Sequence, residues 1–199
     1  MTKLKIALST IRLLGILCGV VAIIILINLF TLPLKEELTY QLGSINKATK
    51  KTLTPPDQEF SILVEKISAT SRIIKDVDPN NSAIYQNALA DGVAHAKGSA
   101  FPGESNNIFL FAHSSTDLND AVRFNSVFYL LHHLEIGDIV SIWYLGQRYN
   151  YSVESKQIVS PNDVSYLNQD SKEEKLTLMT CWPPGTTYKR LLITAKRTI

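Results

Sequence analysis

The sequence predicts a small, mainly β domain with short helices in its connections, preceded by one N-terminal transmembrane helix. Three observations predict it: short strand patterns follow one another closely from Phe60 onward, turn residues separate them, and one long uncharged apolar run stands near the N-terminus. At 199 residues and 45% apolar, the chain is long enough for one domain with a real core and a segment to spare.

The spare segment is Leu13 to Leu32, which carries no charge and has only Asn28 and Thr31 as clearly polar residues. As a helix it spans roughly 30 Å, the hydrocarbon thickness of a bilayer. It is too long for a cleaved signal peptide, and Asn28-Leu29-Phe30-Thr31-Leu32-Pro33 offers no small-x-small cleavage site. Lys3, Lys5 and Arg12 precede it without an acid, so residues 1–12 are expected in the cytoplasm and everything after 32 outside it. Residues 33–58, polar and of mixed charge with Pro55-Pro56 near the end, read as a stalk, leaving 59–199 as the extracytoplasmic domain. Beyond residue 32 there remain 17 basic against 18 acidic residues, and no basic patch points to nucleic acid.

Within the domain, strands are expected at Ile62 to Ile67, Ile73 to Val77, Ile108 to Ala112, Ile139 to Tyr144, Tyr149 to Val153, Leu176 to Thr180 and Leu191 to Ala195. Gly146-Gln147 joins two aromatic-rich runs as a hairpin, which puts Tyr149, Tyr151 and Val153 on one face. Helical patterns fall near Ile84 to Ala90 and from about Ala121 to His133. Periodicity alone leaves sandwich and barrel both open.

The chemistry sits at strand ends. Alternating Thr and aliphatic residues run into Cys181, Trp182-Pro183-Pro184-Gly185 breaks the chain, and an apolar run resumes at Arg190. Paired as antiparallel neighbours, these strands bring a thiol and a guanidinium together at one end of a sheet. Asn107 to Ala112 is another apolar run, and His113 ends it. An imidazole and a cation are the neighbours that raise a thiol's thiolate fraction. Because Cys18 lies inside the expected span, Cys181 is the only thiol of the exported domain. A buried apolar role is its plainest alternative. His132-His133 read as a surface helix end, His95 as a structural residue in a loop-like Gly/Ala/Ser region, and Glu104, Asp117 and Asp120 as solvated loop acids; no metal or cofactor is expected.

These residues together resemble the sortases, cysteine transpeptidases of bacterial cell surfaces. The resemblance rests on His113, Thr177-Leu178-Met179-Thr180-Cys181 and Arg190 in that order, with Gly92-Val93, His95, Pro102-Gly103-Glu104 and Asn107, and covers roughly residues 60 to 199. It implies a closed β-barrel. It implies that Cys181 attacks a backbone carbonyl, that His113 protonates the leaving amine, and that Arg190, with Thr180 assisting, holds the oxyanion or the peptide. Implied partners are surface proteins with a C-terminal LPXTG-like sorting signal, an amine acceptor such as a cell-wall precursor or a pilin lysine, and the lipid bilayer through 13–32. Asn106-Asn107 and Ala112-His113-Ser114 depart from the family's usual Gly-Asn and Gly-His-Arg, which blurs the class. The absence of a second apolar span after Ala195 speaks against pilin-polymerising members. Hydrolysis of the acyl-enzyme, or a non-catalytic membrane-tethered binding module, are the competing functions.

Overall fold

A computed structural model describes residues 13–24, 37–38, 53–114, 127–163, 165–168 and 171–198. The chain divides into two compact units, Met1–Thr49 and Lys50–Ile199. In the first, residues 13–24 form a helix, α1, whose leucines, isoleucines and valines stand exposed. Among the described residues no helix is long and apolar enough to cross a membrane. The expected span continues through 25–32, which lie outside the described residues, as do 1–12 and most of the expected stalk. At the stalk's far end Asp57 is already tied to the domain: its carboxylate accepts from the Phe60 amide at 3.0 Å and pairs with Arg72 at 3.1 Å.

The second unit is a closed eight-stranded barrel. Its strands are β1 (Phe60–Val64), β2 (Ala69–Val77), β3 (Val93–Ala96), β4 (Asn106–Phe111), β5 (Ile139–Tyr144), β6 (Gln147–Val159), β7 (Glu174–Trp182) and β8 (Lys189–Thr198). They pair in the order β1-β2-β3-β4-β7-β8-β6-β5, and β5 closes on β1. Inward-facing Ile62, Val64, Ile108, Leu110, Val140, Ile142, Leu176, Leu178 and Ile193 are all fully buried. Each such aliphatic side chain contributes about 1.5–3 kcal/mol on leaving water.

Two pairs are parallel, β2 with β3 and β4 with β7. The first crossover carries helix α2 (Ser82–Asp91), started by Asn81, whose side chain accepts from the Ile84 amide at 3.3 Å. The helix stops at Gly92, where a Cβ would lie 2.5 Å from the Arg72 carbonyl oxygen. Only a residue without a side chain lets β3 enter the sheet beside β2 there. The second parallel pair decides the location of the chemistry. Because β4 and β7 run the same way, both end at the same rim of the barrel, and antiparallel β8 begins there.

The sequence readings fare unevenly. The hairpin at Gly146 forms as expected, with Ile142 opposite Tyr149 and Tyr144 opposite Gln147. β3 contradicts the loop expected around His95: Val-Ala-His-Ala is buried at every position and so shows no polar alternation. The helix expected from Ala121 to His133 is, in its described part, a 3-10 segment at Tyr129–His133. Its fully buried Leu131 and the fully buried residues that cap it, Phe128 and Leu134, recur every third position, the period of a 3-10 helix rather than of an α-helix. Residues 115–126, which include Asp117 and Asp120, lie outside the described residues.

Candidate active site

β7 and β8 pair so that Cys181 stands directly opposite Arg190. Side chains opposite one another in an antiparallel pair share a face, so thiol and guanidinium project together. On the other flank of β7, the parallel register runs from Asn106 opposite Glu174 to Phe111 opposite Met179, and the Ala112 amide still donates to the Met179 carbonyl at 3.2 Å. Carried two residues further, that register sets His113 level with Cys181. Cys181 on β7, Arg190 on β8 and His113, two residues past the end of β4, therefore lie at one rim, and all three are half-buried.

Alternation along the strands identifies the face they use. Ile108, Leu110, Leu176 and Leu178 fill the barrel, so Asn107, Phe109, Phe111, Thr177, Met179 and Cys181 lie on its outer face. That face is flanked by aromatic residues from the connections. Tyr85 of α2 meets Phe111 edge-on at 6.5 Å, and Tyr166, in the short 3-10 turn Ser165–Asn168, stacks on Phe109 at 5.7 Å. Met179 and Cys181, on the neighbouring strand β7, remain half-open. Further along the same face Thr177 donates to the Asn107 side-chain oxygen at 2.9 Å, joining β4 to β7.

The Arg190 guanidinium donates to the backbone carbonyls of Thr187 and Lys189, each at 3.1 Å. The β7–β8 connection thus holds its charge at the rim. Tyr166 is electrostatically part of the same site. Burial raises its phenol above the ordinary range, Arg190 pulls it down, and Asp163 and Cys181 add smaller upward pushes. Tyr166 was not legible as a site residue, since nothing local marks a tyrosine in a polar loop as the one that folds back over β4. Trp182, next to the thiol, packs against His132 with ring centres 5.3 Å apart, joining the 3-10 segment to the rim.

Thr180 is placed differently. It is 3% exposed, and its hydroxyl donates to the Ala112 carbonyl at 2.9 Å. His95 is structural, as the sequence suggests, and sits on β3 with no exposed surface. Its Nε2 lies 3.0 Å from the Ala100 carbonyl and its Nδ1 accepts from the Asp76 amide at 3.4 Å, the pattern of a neutral ring. Burial lowers its pKa below the ordinary value, outweighing the Ala100 carbonyl and the carboxylates of Asp76 and Glu104.

A closed β-barrel with a thiol and a guanidinium paired at one rim, and an imidazole just past the neighbouring strand, is an arrangement suited to cysteine acyl transfer. Comparison with known proteins specifies it. The description of the sortase domain matches residues 62–198. Sortase D of Bacillus subtilis (strain 168) is 29% identical over 168 residues, which cover 81% of this chain and 76% of that protein. Among solved structures, sortase C-1 of Actinomyces oris superposes with a TM-score of 0.61 at 25% identity, covering 83% of this chain and 84% of that one. Sortase A of Corynebacterium diphtheriae, as a lid mutant, gives 0.59 at 25% identity over 79% and 78% of the two chains. The chain belongs to the sortase family, and its enzymatic class is that of the cysteine transpeptidases that act on surface proteins at the cell surface.

Proposed function

We propose that this enzyme cleaves an LPXTG-like sorting signal near the C-terminus of surface proteins and joins the new carboxyl end to an amine on the cell surface. The observation that carries the reading is the alignment of Cys181 with Arg190 across β7 and β8, with His113 two residues past the end of the parallel neighbour β4. The Cys181 thiolate attacks the scissile carbonyl, and the carbonyl π electrons move onto oxygen. Arg190 stabilises that oxyanion through its planar fork of N–H donors. As the tetrahedral adduct collapses, the C–N bond breaks, His113 gives its proton to the departing amine, and a thioester remains. An incoming amine, losing its proton to His113, then displaces the thiol. The amine comes from a cell-wall precursor or a pilin lysine, and the outer face beside Cys181 receives the signal peptide. Residues 13–32 anchor the enzyme in the bilayer with the N-terminus in the cytoplasm.

The test is intact mass of the full chain, wild type and Cys181→Ala, incubated with a library of LPXTG-type peptides and a small amine. An acyl adduct on wild type alone, followed by amine-capped peptide, is the expected result. An adduct that resolves only to free acid reassigns the enzyme as a cysteine peptidase. No adduct from folded protein with a reduced thiol refutes the substrate assignment.

A further inference from the structure

Resting on the cysteine-transpeptidase reading of the site, we infer that Thr180 is a positioning residue which sets the spacing between His113 and Cys181 through the Ala112 carbonyl. β4 and β7 are adjacent but end as independent strands, and the His113 and Cys181 that act together lie just where the paired ladder gives out. The last register pair is Phe111 with Met179, and one further backbone bond, from the Ala112 amide to the Met179 carbonyl, follows at 3.2 Å. The Thr180 hydroxyl then adds a crosslink of its own, 2.9 Å to the Ala112 carbonyl. Ala112 is thereby held from both its amide and its carbonyl by consecutive residues of β7. It is the residue directly before His113, and Thr180 is the residue directly before Cys181.

Alternation argues against a direct role for this hydroxyl. Thr180 shares its face of β7 with Leu176 and Leu178, both fully buried inside the barrel, whereas Cys181 projects from the opposite face. With 3% exposure and its proton committed to Ala112, the hydroxyl is turned away from the outer face that carries Cys181. It acts on the reaction by fixing where His113 begins. A misplacement of about 1 Å between reacting groups is enough to cost orders of magnitude in rate.

Removing the hydroxyl leaves in place the groups that face the thiol: His113 from β4, Arg190 from β8 and Tyr166 from the turn over Phe109. The experiment uses the full chain as wild type, Thr180→Ser, Thr180→Val, Thr180→Ala and His113→Asn. Alkylation of Cys181 by iodoacetamide is followed against pH, with the site of reaction read from peptide masses so that Cys18 does not contribute. Turnover of an LPXTG-type peptide is measured alongside it. Thr180→Ser is expected to keep the wild-type alkylation profile. Thr180→Val and Thr180→Ala are expected to move it toward that of His113→Asn, with kcat lowered roughly tenfold or more and KM within about twofold of wild type.

A folded Thr180→Val or Thr180→Ala protein that keeps the wild-type alkylation profile overturns the inference, even if its turnover falls, because the hydroxyl then acts on substrate. So does a Thr180→Ser protein that reacts like the hydroxyl-less variants, because packing and not the hydrogen bond is then responsible. Alkylation needs no peptide. A wild-type enzyme that turns over no substrate therefore refutes the catalytic reading while the profiles still decide the role of Thr180.

Discussion

Arg190 illustrates how much depends on the shape of one side chain. Its guanidinium reaches two carbonyls of its own connection and still faces Cys181 across the strand pair, which asks for several N–H groups in a fixed plane. Arg190→Lys is expected to lower kcat/KM for a sorting peptide by about 10²–10³, the range seen when one oxyanion donor is removed, while the thermal midpoint stays within a few degrees. Turnover near wild type would show that charge alone suffices. His95 makes a second prediction at this scale. Its pKa is lowered on folding, so the unfolded chain takes up its proton first as pH falls. The stability it contributes is complete above its ordinary value of 6.5 and is lost as pH drops below that, at up to about 1.4 kcal/mol per pH unit. Comparing denaturant midpoints of wild type and His95→Gln at pH 7.5 and pH 5.5 checks this: the gap between the two pH values should be smaller in the variant. The positions of Cys181, Arg190 and His113 at strand ends were largely legible at the residue scale, because each stands where an apolar run meets a turn. Tyr166 was not, because its place over Phe109 is set by tertiary folding alone.

At the scale of elements, legibility followed solvent contact. β1, β5 and β8 were found close to their true positions from apolar or alternating patterns, and β7 from its Thr/Leu alternation. β6 runs from Gln147 to Val159, well past the expected Val153, because Glu154 to Gln157 form a polar stretch beyond a register shift between Val153 and Ser155. β3 was missed for the opposite reason, being buried throughout. Its place beside β2 depends on Gly92, and Gly92→Ala drives a methyl group to 2.5 Å from the Arg72 carbonyl oxygen, which is backbone and cannot swing aside. We expect a loss of about 1–3 kcal/mol in unfolding free energy, measured by urea titration. A variant as stable as wild type would mean that β2 and β3 separate without penalty. The turn carrying Tyr166 makes a different kind of prediction. Tyr166→Ala removes the ring that stacks on Phe109 but no reacting group, so KM for the peptide should rise several-fold with kcat affected less, and steady-state kinetics on a single sorting peptide distinguish the two.

For the whole molecule, the prediction concerns topology. In the proposed topology, argued from flanking charge, the segment after residue 32 lies outside the cytoplasm. Protease added to intact spheroplasts should therefore degrade the barrel, and full protection would reverse the orientation. The fold class was legible as mainly β, but barrel closure was not readable from periodicity, since alternation describes one strand's two faces and not which strand is its neighbour. The order β1-β2-β3-β4-β7-β8-β6-β5 contains two parallel neighbours that no hairpin signal announces.

That strand order also governs when the enzyme becomes reactive. Thr180 and the Ala112 it binds are 68 residues apart, and Arg190 lies on the strand that pairs with both β6 and β7. A ribosome delivers the imidazole first, the thiol much later and the guanidinium after that. A chain that ends before residue 190 carries the imidazole and the thiol without the guanidinium. The rim is therefore complete only once β8 has found its place between two strands that were made before it.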